Sequence, residues 1–374
     1  MLQLIRQLLI LLVIASPSTL SGRTIQPFYE DPFDIGAGGT VLTWATQESI
    51  LINNPALLPH GGTFLRWIGL KLNLSPGLDS LVFAQNLLGS GAEGGGEQSE
   101  EGNSDSPLAI LSNFETPVHV GASSALSMIT NNGGGTVYLS TEPDIRYWEK
   151  GDPELGTGIP NVVIRSETYG GAHLASAAKT WDWLSFGASL KVLQISETTE
   201  KVELTDREGI NQLQNTFSNL SNTSLEAGVG LDGGSLLFFQ GQFIDLRLAV
   251  TASNIGNLQL NSGRILPQML HGGIGLTLHT DSDALHFSAE LRDVTRAYAE
   301  EPDYKRLHLG TRLLLRTYVG LSAGIYQGSP TYGLELDLIF FRLAATYYTR
   351  EYSVSPGVDP RKVIIISYSQ GFSF

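Results

Sequence analysis

Lys191, Asp245, Arg247, Glu290, Arg292, Arg312, Glu335, Asp337 and Arg342 share one feature: each lies in a segment where apolar residues recur at every second position, and each occupies the opposite parity. His286 and His308 are the histidines found there by the same rule. Carboxylates and imidazoles gathered on one face could exchange protons with a substrate. Charges of both signs at this spacing could instead neutralise one another and brace a polar interior, and the second reading is preferred. The chain has no Gly-x-Ser-x-Gly, His-Glu-x-x-His, phosphate-loop or EF-hand pattern. It also has no cysteine, which excludes disulfides and thiolate metal sites. The sequence therefore predicts no catalytic residue, cofactor or metal, and no enzyme. Asn219-Leu-Ser and Asn222-Thr-Ser match glycosylation acceptors without further support.

The elements that must position these residues are strands. Tyr332, Leu334, Leu336 and Leu338 oppose Gly333, Glu335 and Asp337, while Phe341, Leu343, Ala345 and Tyr347 oppose Arg342 and Thr346. Leu285, Phe287, Ala289 and Leu291 oppose His286, Ser288, Glu290 and Arg292. A period of two marks a strand with unlike faces. Extending the reading gives about fourteen strands, from 63–74, 118–129, 136–148, 161–178, 184–195 and 224–233 through to the last residues. Links after odd strands are long and those after even strands short, 328–330 excepted, as in transmembrane barrels. The expected fold is all-β: a transmembrane antiparallel barrel with both termini periplasmic.

The C-terminal run has Ile364, Ile366, Tyr368, Gln370, Phe372 and Phe374 on one parity and Ser367, Ser369, Gly371 and Ser373 on the other. Tyr368, Phe372 and Phe374 resemble the assembly signal of bacterial outer-membrane barrels, which implies the barrel-assembly machinery and outer-membrane lipids as partners. Residues 1–22 carry Arg6, an apolar run from Leu8 to Ala15 and small residues after Pro17, the pattern of a secretory signal peptide. A net charge of −14 disfavours a nucleic-acid partner.

Residues 23–62 lack alternation and precede the first strand. They contain Asp34-Ile-Gly-Ala-Gly-Gly-Thr40 and Asn53-Asn54-Pro55-Ala56-Leu57-Leu58, and resemble the N-terminal hatch of the FadL family of outer-membrane transporters. The resemblance implies a hatch inside a barrel formed by residues 63–374, and passive uptake of hydrophobic small molecules such as long-chain fatty acids. Gly36, Gly38, Gly39, Asn54, Pro55 and Ala56 would set the hatch along the ligand path. Glycines permit close approach and unusual backbone angles, and Asn54 before Pro55 favours a rigid extended turn. Ala56 is expected near Ser288. A secretion-associated barrel and a structural or adhesin barrel are the alternatives. Loop 77–115 is expected to hold apolar helices at 78–88 and 107–114 around a disordered acidic tract at 89–106, with another helix in 204–220.

Overall fold

The computed structural model describes residues 31–76, 118–148, 161–203, 225–316, 318–338, 340–353, 357 and 359–373. The segments expected to form a signal peptide, loop helices and an acidic tract, and Phe374, lie outside them. Fourteen strands close into one antiparallel barrel. In chain order they are β1 (Phe64–Leu74), β2 (Val118–Thr130), β3 (Gly133–Trp148), β4 (Asn161–Trp181), β5 (Leu184–Glu203), β6 (Glu226–Gln240) and β7 (Ile244–Ser253). After a small hairpin, β8 (Leu258–Gln259) and β9 (Ile265–Leu266), come β10 (Met269–His279), β11 (Asp283–Leu291), β12 (Leu307–Leu315), β13 (Val319–Tyr326), β14 (Ser329–Asp337), β15 (Phe341–Glu351) and β16 (Pro360–Ser373). Strand β1 pairs with β16 from Phe64↔Ser373 to Leu74↔Ile364, so no edge is left open.

The alternation read from the sequence becomes two surfaces. Leu70, Leu72, Leu126, Leu139, Leu174, Leu334 and Ile366 point outward and are exposed, whereas Arg312, Arg342, Glu290 and His308 are buried inside. An apolar belt around a polar interior is stable where lipid, not water, bathes the outside. Among the described residues no helix is long and apolar enough to cross a membrane; the strands cross it. Aromatic rings gather at the short-turn end: Phe372 lies 4.9 Å from Trp67 and 5.3 Å from Phe340, and Trp181 stacks on Trp183 at 5.4 Å. Amphipathic rings favour the headgroup level.

Several strand ends differ from expectation. Strand β6 runs on through Gly233 and Gly234 to Gln240, although that pair suggests a break. A Cβ on Gly234 would fall 2.2 Å from Asn54 Oδ1, so this glycine is there for clearance. Strand β5 likewise continues to Glu203, and β3 starts at Gly133. The short link at 327–328 is a tight hairpin: Tyr326 pairs with Ser329, and Gln327 and Gly328 have φ of 49° and 78°. Two left-handed residues match the twist of the flanking strands. The link at 255–269, expected as a loop, folds the β8–β9 hairpin against the wall and gives its last residue, Met269, to β10. Its Leu258, Leu260 and Leu266 bury with Tyr169, Leu193 and Ile195, in space left by Gly228 and Gly230.

Candidate functional site: the hatch and its latch

Residues 31–62 sit within the barrel. Helix α1 (Pro32–Gly36) begins because the Asp31 carboxylate accepts the Phe33 N–H at 3.0 Å and Pro32 occupies the first turn. It ends at a reversal where Gly38 and Gly39 have φ of 71° and 72°, a conformation that glycine takes without strain. Gly36 is helical, contrary to the expectation of an unusual backbone angle. It is needed for closeness, since a Cβ there would lie 2.4 Å from Ser322 Oγ and 2.7 Å from Gly333 Cα. The wall answers with glycines of its own. A Cβ on Gly310 would lie 2.0 Å from the Ala37 carbonyl oxygen, and one on Gly324 would lie 2.3 Å from Gly38 N. The hatch apex therefore meets the wall backbone to backbone.

The first half of the hatch, residues 31–44, is held by polar side chains of the wall. Arg342 donates to both Asp31 oxygens, at 2.9 and 3.2 Å, and to Glu335 at 2.6 Å. Arg312 donates to Asp34 at 3.1 Å, to the Trp44 carbonyl at 3.0 Å and to the Thr40 carbonyl, and its guanidinium lies 4.4 Å from the Trp44 ring. Arg292 donates to the Gly39 carbonyl and Arg247 to that of Thr43. Glu290 accepts the Leu42 N–H at 2.7 Å, and His308 Nδ1 lies 2.7 Å from the Gly38 carbonyl. Thr331 donates to the Gly36 carbonyl and accepts from Gly38 N.

Two carboxyls of the hatch respond in opposite directions. Burial would raise Asp31, but the Arg342 guanidinium outweighs it and holds the carboxyl down at about 2. Burial pushes Asp34 up to about 7 against the pull of Arg312. Asp34 also ties the hatch to itself by accepting from the Thr46 hydroxyl at 2.8 Å.

The second half is held differently. Helix α2 (Gln47–Asn53) and a 3-10 helix (Pro55–His60) bury Ile50, Leu51, Ala56, Leu57 and Leu58 against Ile129, Ala175, Ala177, Leu236 and Ala249 of the wall. Asn54 joins the halves. It is extended (φ −150°), accepts from Ala56 N at 3.1 Å and donates to the Leu42 carbonyl at 2.6 Å. Pro55 approaches so closely that a Cβ on Gly187 would fall 2.4 Å from its carbonyl carbon.

The structure brings Arg247, Glu290, Arg292, Arg312, Arg342 and Glu335 together around the hatch. Lys191 pairs with Asp232 at 2.7 Å on the far wall, and Asp245 accepts from Gly241 N and lies 3.3 Å from His279. Asp337 donates its backbone N–H to Tyr318. The histidine count was too low: His119, His173 and His271 are also buried, in strand stretches whose alternation the sequence reading did not resolve. The expected neighbours of Ala56 also change. Its carbonyl accepts from Ser185 at 2.7 Å, whereas Ser288 Oγ lies 3.2 Å from Thr43 Oγ1; the hatch crosses the lumen between these two points. His286 lies 2.7 Å from Thr277 and its ring is 5.1 Å from that of Trp44. Tyr368 faces outward and accepts from Gln370. Asp31, Asp34, Thr43 and Thr46 were not singled out from sequence, nor was a second network at the long-link end. There Arg361 is paired with Asp144, Arg350 with Glu142 and Arg165 with Asp359.

No family model matches the chain, and no curated protein does. Solved structures do. The toluene transporter TodX of P. putida aligns over 93% of this chain and 99% of its own, with 13% identity and a TM-score of 0.50. The toluene transporter TbuX of Ralstonia pickettii aligns over 94% and 100%, with 11% identity and a TM-score of 0.51. A Pseudomonas aeruginosa FadL homologue aligns over 92% and 98% with 10% identity and a TM-score of 0.34, too low to add to the comparison. Together with the closed barrel and its apolar belt, the first two establish that the chain has the fold of these transporters, a fourteen-stranded outer-membrane β-barrel.

Proposed function

We propose that this barrel is a channel for passive uptake of hydrophobic small molecules, with residues 31–44 as the moving part of its hatch. The carrying observation is the division of the hatch. Its second half is packed apolar against apolar, which water cannot replace, while its first half, apart from Ile35 packed on Tyr348 and Ile365 and Leu42 in the second half's cluster, is held by hydrogen bonds and ion pairs that water can exchange at modest net cost. Such a segment can leave the wall while the rest stays anchored. Departure of Ile35 with the moving segment would uncover Tyr348, Val363 and Ile365, an apolar face for a solute. Two structures sharing the fold are toluene transporters, which supports the hydrophobic class. The seated hatch disfavours a secretion pore with a displaced plug.

The natural chain has no cysteine, so a double variant, Thr43→Cys with Ser288→Cys, gives an unambiguous crosslink where the hydroxyls are 3.2 Å apart. Uptake of toluene and of a long-chain fatty acid is measured in vesicles before and after reduction. The expected result is blocked uptake when oxidised and recovery with reductant. Unchanged uptake across a verified crosslink would refute the moving hatch, and no uptake of either probe by the unmodified barrel would refute the channel.

A further inference from the structure

A concavity of about 570 Å³ opens on the outer wall across β10 to β13, lined by Ile274, Phe287, Leu309, Thr311, Ala323 and Ile325 among others. It comes from a break in the belt of large side chains. Phe287, Thr311 and Ala323 are in register across β11, β12 and β13, so two small residues adjoin where neighbouring outward positions carry Leu309, Leu321 and Ile325. Thr311 is the central residue of β12, which puts the hollow at mid-height, away from the aromatic rings at the short-turn end. Its floor is solid: behind it Gly310 and Gly324 are backed by Ala37 and Gly38 of the hatch.

We infer that this hollow is a binding site for one hydrocarbon chain of a membrane lipid. The hollow is continuous with the lipid-facing belt, and its rim residues Ile274, Phe287 and Ile325 are exposed, so acyl chains are what surround it. Its volume lies in the range of about 300–1,000 Å³ usual for small-molecule sites. Transfer from one apolar surrounding to another brings no hydrophobic gain, so preference for the site comes from close packing against a fixed concave surface. The paired strands β10 to β13 fix that surface, and the hatch apex backs it while seated.

The test uses the full barrel in phosphatidylethanolamine vesicles containing a phospholipid with a diazirine in one acyl chain. After illumination, labelling of peptides containing Ile274, Phe287, Thr311 and Ala323 should exceed that of the outward residues Leu343 and Ala345 of β15 by about tenfold, the effect of about 1.4 kcal/mol. Ala323→Phe and, separately, Thr311→Leu fill the hollow from the lipid side and should remove that excess, whereas Ala345→Phe should not. Heat-modifiable migration verifies that each variant is assembled. Uniform labelling around the wall would overturn the proposal by reducing the hollow to ordinary lipid contact. Protein-to-protein crosslinks from a photoreactive residue placed at Ile274 in a separate variant, lost when Ala323→Phe is added, would also overturn it and make the occupant a second copy of the chain.

Discussion

Asp31→Asn tests the latch with the least disturbance. Asn is as good a helix cap as Asp, so the bond to Phe33 N survives, while the charge facing Arg342 and one of the two hydrogen bonds from its guanidinium are lost. Glu335, 2.6 Å from Arg342, keeps that guanidinium paired. The docked Asp31 carboxyl stands at about 2 against an ordinary 3.8, a displacement worth about 2 kcal/mol. Because the docked value is depressed, this stabilisation is fully present above the ordinary value and is lost as pH falls from there through about 2. At pH 7 its removal should raise the open population of residues 31–44 roughly thirtyfold. Hydrogen exchange reads this directly, since Ala37, Gly38 and Gly39 donate to carbonyls of Phe33, Ile35 and Asp34 within the hatch, and their exchange follows local opening. Asp245→Asn, which touches no hatch residue in the described hydrogen bonds, should leave these rates unchanged. Exchange within about threefold of the parent in Asp31→Asn, or an equal rise in Asp245→Asn, would show that the ion pair does not hold the segment.

Gly310→Ala should leave the barrel assembled but displace the hatch, because the new Cβ would meet the Ala37 carbonyl at 2.0 Å; Gly272→Ala, with nothing nearer than 4.0 Å, is the control, and heat-modifiability with hydrogen exchange distinguishes the two. His60 is held down at about 4 by burial and by the nearby Arg247 and Lys179, so its neutral form is the docked one. The stability it permits is full above about 6.5 and declines as pH falls towards 4. The difference in hatch exchange between the parent and His60→Gln should therefore change across that window and be flat above it.

The barrel was legible because a period of two survives in nearly every strand and because link lengths alternate. Glycine caused the misreadings. In β3 and β6 it marks places where the wall makes room for Leu51 and Asn54, and a sequence shows a glycine without showing what presses against it. The inward charges were found by parity, but their partners were not. Asp31 and Arg342 are separated by 311 positions, and only the closed sheet sets them opposite each other. Thr331 and Ser322, which bond the hatch, resemble any other wall hydroxyl. The β8–β9 hairpin did leave a signal in the alternation of Leu258 and Leu260, too short to stand out from a loop.

Strand length varies around the barrel, from 21 and 20 residues in β4 and β5 to 9, 8 and 9 in β12, β13 and β14. A tilted strand needs about 9–11 residues to cross the hydrocarbon. One flank thus has wall to spare, while the other is at or below the minimum. A bilayer in contact with the short flank must thin to match it, at a cost of fractions of a kcal/mol per Å, whereas the long flank imposes no such demand. The protein would then be surrounded by membrane of unequal thickness, and lipids with shorter or more disordered chains would collect beside β12 to β14. Thickness matching would make composition around this barrel depend on direction, even in a membrane that is uniform elsewhere.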